Sequence, residues 1–145
     1  MSQTPPPLVH YLTEDEYYQH FCNIYCNKGT VMTFDGIRVD FYPGNFKHAF
    51  RESANRQKGD KSVFSSRRAQ RIDWIKWALE HTTAELFRGW NKNIGTYDPE
   101  RRVCIVVRNY IVVIQFKDID RAFFITAYPA DSDILRKIRN GPRWR

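Results

Sequence analysis

The chain has 145 residues, room for one domain with one hydrophobic core and not for two. Hydrophobic residues make up 42% and aromatic residues 15%, which is enough to build that core and excludes a disordered polypeptide. Lys and Arg outnumber Asp and Glu by 23 to 16, so a net charge of +7 should attract polyanions, nucleic acid first and an anionic membrane surface second.

No apolar run approaches the ~20 residues of a spanning helix. Met1 to Leu8 lacks the basic start and apolar core of a signal peptide. Cys22, Cys26 and Cys104 form no disulfide-like framework and fit reduced thiols in a cytoplasm. Four metal ligands in paired short spacings are not found among these cysteines and His20, so no metal and no cofactor is expected.

Residues 1–12, with Pro5-Pro6-Pro7, read as an extended lead-in, and residues 13–145 as a single domain. Thr13 and Glu16 have capping-box spacing, predicting a helix from Glu14 to Cys26 that buries Tyr17, Phe21, Ile24 and Tyr25 and stops at Gly29. Val31–Phe34 and Ile37–Tyr42 flank Asp35-Gly36, a two-residue type I′ hairpin signal. Asn45 caps a short helix, Phe46–Ser53, followed by a polar loop from Asn55 to Ser62.

Ser65 or Ser66 caps a long helix, Arg67–His81, with Ala69, Ile72, Ile75 and Leu79 as its buried stripe. A helical turn over Thr83–Phe87 and a loop over Asn91–Pro99 lead to three strands, Arg102–Val107, Tyr110–Phe116 and Ala122–Tyr128. Their short links predict antiparallel pairing, and Asp131 or Ser132 starts a terminal helix. The layout is α+β, a sheet covered by helices.

Three segments in this order, Asn45-Phe46-Lys47-His48-Ala49-Phe50, Arg68-Ala69-Gln70-Arg71-Ile72 and Ile125-Thr126-Ala127-Tyr128, carry a family likeness. Over roughly Thr30 to Tyr128 the chain resembles the phage-type barnase–EndoU–colicin–RelE-like (BECR) nucleases. The resemblance implies a barnase-like or EndoU-like fold, helices packed on a twisted antiparallel sheet whose open face holds RNA. It also implies metal-independent RNA cleavage by attack of the 2′-hydroxyl on the adjacent phosphate. Toxin, phage or mobile-element biology follows from the same likeness, with RNA as partner and a cognate immunity or antitoxin protein as a second.

The residue chemistry agrees with that expectation. His48 supplies an imidazole, the side chain that exchanges protons near neutral pH; without the likeness a surface or capping histidine is the favoured reading. Arg68 and Arg71, three apart on the expected helix, can fork onto phosphate oxygens. Thr126 and Tyr128, two apart on a strand, present hydroxyls on one face. His48, Arg68, Arg71, Thr126 and Tyr128 are the expected catalytic set and should converge on one groove. Lys47, Arg51, Arg67 and Arg102 are expected to capture the RNA backbone, and Trp74, Trp77 and Trp90 to pack in the core. Two other readings fit the same charge and fold: a non-catalytic RNA-binding module, and a basic protein–protein interaction domain.

Overall fold

The computed structural model describes residues 4–27, 30–52 and 63–144. The expected stop at Gly29, the end of the second helix at Ser53 and the loop Asn55–Ser62 lie outside the described residues. Among the described residues no helix is long and apolar enough to cross a membrane.

Thr13 caps α1 (Glu14–Phe21) by the expected reciprocal box: its hydroxyl accepts the Glu16 amide at 3.2 Å, and Glu16 accepts the Thr13 amide. The helix then widens into a π turn, Cys22–Cys26, in which the Asn27 amide reaches the Cys22 carbonyl at 2.9 Å. β1 (Val31–Met32) and β2 (Arg38–Asp40) form the first hairpin. Its link is one residue longer than the sequence implies. Thr33 bonds Ile37 across Phe34-Asp35-Gly36, and only Gly36 has positive φ (+85°), so the turn is not type I′.

The backbone of two consecutive positive-φ residues is found instead at Arg108 (φ 63°) and Asn109 (φ 61°), just before Tyr110. α2 (Asn45–Ala49) is shorter than the expected Phe46–Ser53, because Arg51 and Glu52 pair as a strand with Phe64 and Val63; Asn45 Oδ1 accepts the Tyr42 amide at 2.7 Å and so closes the preceding turn instead of capping the helix. A small ladder of β3 (Arg51–Glu52) and β4 (Val63–Phe64) follows.

The long helix expected over Arg67–His81 is two helices, α3 (Ser66–Ala69) and α4 (Ile72–Leu79). Arg71 between them has φ −101° and ψ 22°, outside helical geometry. Two buried tyrosines hold the break open: the Tyr110 hydroxyl donates to the Arg71 carbonyl and the Tyr25 hydroxyl to the Ile72 carbonyl, at 3.3 and 2.6 Å. The carbonyls that the break releases find other donors: the Val9 amide reaches Gln70 at 2.9 Å and the Arg71 guanidinium reaches Arg67 at 2.6 Å.

β5 (Glu85–Asn91), β6 (Thr96–Val106), β7 (Tyr110–Phe116) and β8 (Arg121–Pro129) then form a meander, and α5 (Ser132–Arg139) closes the chain, capped by Asp131. Strand β5 and the first half of β6 replace the helical turn and loop expected there. The sheet order is β1-β2-β8-β7-β6-β5. The chain leaves β2, crosses one face as helices, enters at the far edge with β5 and meanders back. β8 consequently meets β2 in parallel, with Val39 opposite Ala122, and the sheet is mixed where an all-antiparallel one was expected.

Alternation along β6 and β7 splits the core in two. Cys104, Val106, Val112 and Ile114 face α1 to α4, where Phe21 lies among Phe41, Phe46, Phe50 and Phe124. Val103, Ile105, Ile111 and Val113 face the other way, against Leu135 of α5. The N-terminal segment is docked as well: Pro6 accepts the Trp74 indole N–H at 2.8 Å, and the Val9 amide bonds the Gln70 carbonyl at 2.9 Å.

Candidate active-site groove

The single helix α5 covers only part of the second sheet face, and a groove of about 580 Å³ remains beside it. Val103, Val113 and Ile125 form its floor, and α5 walls one side with Ile134, Lys137 and Ile138. The tip of the β5–β6 hairpin walls the other. Lys92, Arg101 and Lys137 line the groove together with His48, and among the described residues no Asp or Glu does, so the cavity has a cationic lining.

Two local devices bring the expected residues here. The first is a bulge in β8: Val113 pairs with Thr126, but Ile114 pairs with Phe124, leaving Ile125 extra. Phe124 and Ala127 both belong to the helical-side core, so the alternation skips a step between them. Ile125, Thr126 and Tyr128 all line the groove as a result. The second is the shortness of β2, which ends opposite Phe123. Beyond that point α2 and α3 pack along β8 in place of a strand, and α2 carries His48 to the groove that Thr126 and Tyr128 line.

Arg68 ties these parts together. Its guanidinium lies over the Tyr128 ring at 4.9 Å, and its Nη1 donates to the Ala49 carbonyl at 3.3 Å, one residue after His48. Glu52 lies 3.6 Å from Nη2. Burial lowers the Arg68 pKa from its ordinary value, with Glu52 opposing. Burial raises the Tyr128 phenol, and the Arg68 charge works against that rise. Tyr128 therefore holds its proton at neutral pH while facing a group that eases its release.

The other expected members lie elsewhere. Arg71 does not line the groove: the break before α4 turns it away, its guanidinium sits over the Trp74 ring at 5.1 Å, and Nη1 donates to the Arg67 carbonyl at 2.6 Å. Arg68 and Arg71 thus form no common fork.

Arg102 is 2% exposed on the helical side of the sheet, paired with Asp35 at 2.7 and 3.1 Å and flanked by Phe34, Phe116 and Trp144. Its place is in the core, not on an RNA surface, because the even positions of β6 point inward there. Arg51 is held by both oxygens of Glu14 at 2.9 Å, in a separate recess that Lys47, Glu14 and Asp15 also line. Lys47 and Arg67 are exposed.

Residues not expected at the site complete it. Trp90, expected in the core, is 56% exposed on the groove wall, whereas Trp74 and Trp77 are buried. Arg101 is held from below: its Nε donates to Gln115 at 2.7 Å, and Gln115 and Asn91 both donate to Asp98. The Asn91 bond, with the Glu100 amide, holds the Asp98 carboxyl below its usual pKa. Gly89 makes room for this arm, since a Cβ there would meet Arg101 Cγ at 2.5 Å. The signal for this hairpin was Trp90 and Tyr97 placed symmetrically about Asn91, Asn93 and Gly95, a turn-rich centre with aromatic shoulders.

Among the described residues no group of three or more His, Cys, Asp or Glu side chains could hold a metal ion. No family model, no curated protein and no solved structure matches the chain.

Proposed function

We propose that the chain is a metal-independent RNA endonuclease with a barnase- or EndoU-like, BECR-type arrangement, cutting by 2′-hydroxyl attack to leave a 2′,3′-cyclic phosphate. The observation that carries this reading is the meeting of His48, Thr126 and Tyr128 along one cationic groove, with Arg68 stacked on Tyr128. In this reading His48 takes the 2′-hydroxyl proton as the 2′-oxygen attacks phosphorus. Tyr128, protonated at neutral pH, gives a proton to the departing 5′-oxygen, and the Thr126 hydroxyl donates to a phosphate oxygen. Arg68 is a positioning residue that fixes Tyr128 against the His48 helix, and Lys137 and Arg101 supply positive charge for the phosphorane. RNA is the substrate class; a toxin-type role and an immunity partner follow only from the family likeness.

The test is incubation of the purified protein with an end-labelled single-stranded oligoribonucleotide, with and without EDTA. Cleavage that survives EDTA, yields cyclic phosphate ends and vanishes when a 2′-deoxynucleotide occupies the scissile position supports the reading. Binding without cleavage replaces it with a non-catalytic RNA-binding module. Neither binding nor cleavage replaces it with a protein-interaction domain.

A further inference from the structure

The tip of the β5–β6 hairpin is built as a rigid arm. Asn91 accepts the Gly95 amide at 2.9 Å through its carbonyl and the Asn93 amide at 3.0 Å through its side chain, and Gly95 takes the positive φ (+69°) the turn requires. Trp90 stands at its shoulder, directly opposite Tyr97 in the register. The two rings meet edge to face, centroids 5.3 Å apart at 89°. Tyr97 is itself confined by the turn after α5, where a Cβ on Gly141 would meet its hydroxyl at 2.9 Å.

Trp90, held with its ring perpendicular to Tyr97, stays 56% exposed at the wall of the groove. A large exposed aromatic in a fixed orientation is costly for a surface and useful for a ligand that is flat and aromatic. The chemistry next to it narrows the ligand further. Lys92, two residues after Trp90, is exposed, and among the described residues it has no ion pair and the groove has no acidic lining. A planar ring carried on a polyanion matches both features.

We propose that Trp90 is a nucleobase-stacking platform and that the groove accepts an unpaired nucleotide of single-stranded RNA, its flanking phosphate held by Lys92. The proposal rests on the RNA-directed reading of the same groove and adds its preference for strand state. A base inside a duplex is already stacked on its neighbours and cannot lie on Trp90, so paired RNA is excluded by geometry, not by charge.

The experiment measures binding of a fluorescein-labelled single-stranded 12-mer RNA, the same strand annealed to its complement, and a 12-mer bearing an abasic site at each position in turn. A 2′-O-methyl ribose backbone, which cannot supply the attacking hydroxyl, keeps the RNA probes intact. Trp90→Ala should weaken single-strand binding on the order of tenfold, the scale for losing one stacked base. Trp90→Phe should recover most of that loss, and duplex binding should be weak and indifferent to both changes. One abasic position should reproduce the Trp90→Ala loss and add nothing to it.

Equal single-strand binding by wild type and Trp90→Ala overturns the platform, as does duplex binding that depends equally on Trp90. The two readings fail separately. A wild-type protein that cuts RNA while Trp90→Ala binds normally sinks the platform alone. Trp90-dependent binding by a protein that never cuts sinks the nuclease alone.

Discussion

The guanidinium of Arg68 lies 4.9 Å from the centre of the Tyr128 ring and donates to the carbonyl of Ala49, so a single side chain joins the last strand to the helix that carries His48. An arginine so placed contributes through stacking, by about 1 kcal/mol, and through one hydrogen bond of similar size. Arg68→Ala should lower stability by about 2 kcal/mol in urea denaturation and cut RNA cleavage on the order of tenfold. Tyr128→Phe keeps the ring under Arg68 and should leave the unfolding midpoint nearly unchanged while lowering kcat on the order of 100-fold. Equal activity of Tyr128→Phe and wild type would remove the phenol as proton donor.

His48 is exposed and lines the groove from α2. His48→Ala should lose on the order of 100-fold or more in single-turnover cleavage, measured on protein whose circular dichroism matches wild type. Arg71→Ala should stay close to wild type in cleavage, because the arginine sits over Trp74 and does not line the groove. The reverse ranking in a cleavage assay would return Arg71 to the site.

Asp35 and Arg102 form an ion pair of unequal burial, 36% and 2% exposed at the side chain. Asp35→Ala strands a buried guanidinium and should cost about 3 kcal/mol, whereas Arg102→Met leaves a carboxylate that water can reach and should cost less. Burial alone would raise the Asp35 pKa, but the bonds from Arg102 and Thr33 outweigh it and hold the carboxyl below its ordinary value. A depressed folded-state pKa stabilises fully above the unfolded value, about 4, and the gain is lost as pH falls through the folded value. Denaturation between pH 6 and acid should show wild type losing stability below about pH 4, with that part of the decline missing in Asp35→Ala. RNA binding by Arg102→Met should equal wild type; a steep loss would contradict its place in the core.

Arg108 has φ 63° and ψ 22°, the left-handed region, in the link between β6 and β7. A side chain there costs about 1 kcal/mol that glycine avoids, partly offset by the freedom glycine adds to the unfolded chain. Arg108→Gly should therefore raise stability by up to about 1 kcal/mol, a few degrees by scanning calorimetry. A lowered midpoint would mean that the arginine side chain itself is held by a contact worth more than the strain.

The sequence by itself determined what depends on neighbours along the chain. Thr13 and Glu16 were enough for the start of α1, and Asp131 for the start of α5. The apolar run Tyr110–Ile114 was enough for a strand, because local bonds and burial on both faces agree there. His48, Thr126 and Tyr128 were legible as candidate groups by residue type and order.

Only the tertiary structure decided the rest. The break at Arg71 is held by Tyr25 and Tyr110, both distant in sequence, so a helical pattern could not reveal that the two arginines part. The register slip at Ile125 exists only against β7, and it aims Thr126 and Tyr128 into the groove. Arg102 took its place from the pleat of β6, which points even positions at the helices whatever charge they carry. Trp90 was turned out to solvent by a hairpin whose partner strand begins six residues after it. Side-chain direction in a sheet is fixed by pairing with strands far along the chain, and that pairing is what a single sequence does not write down.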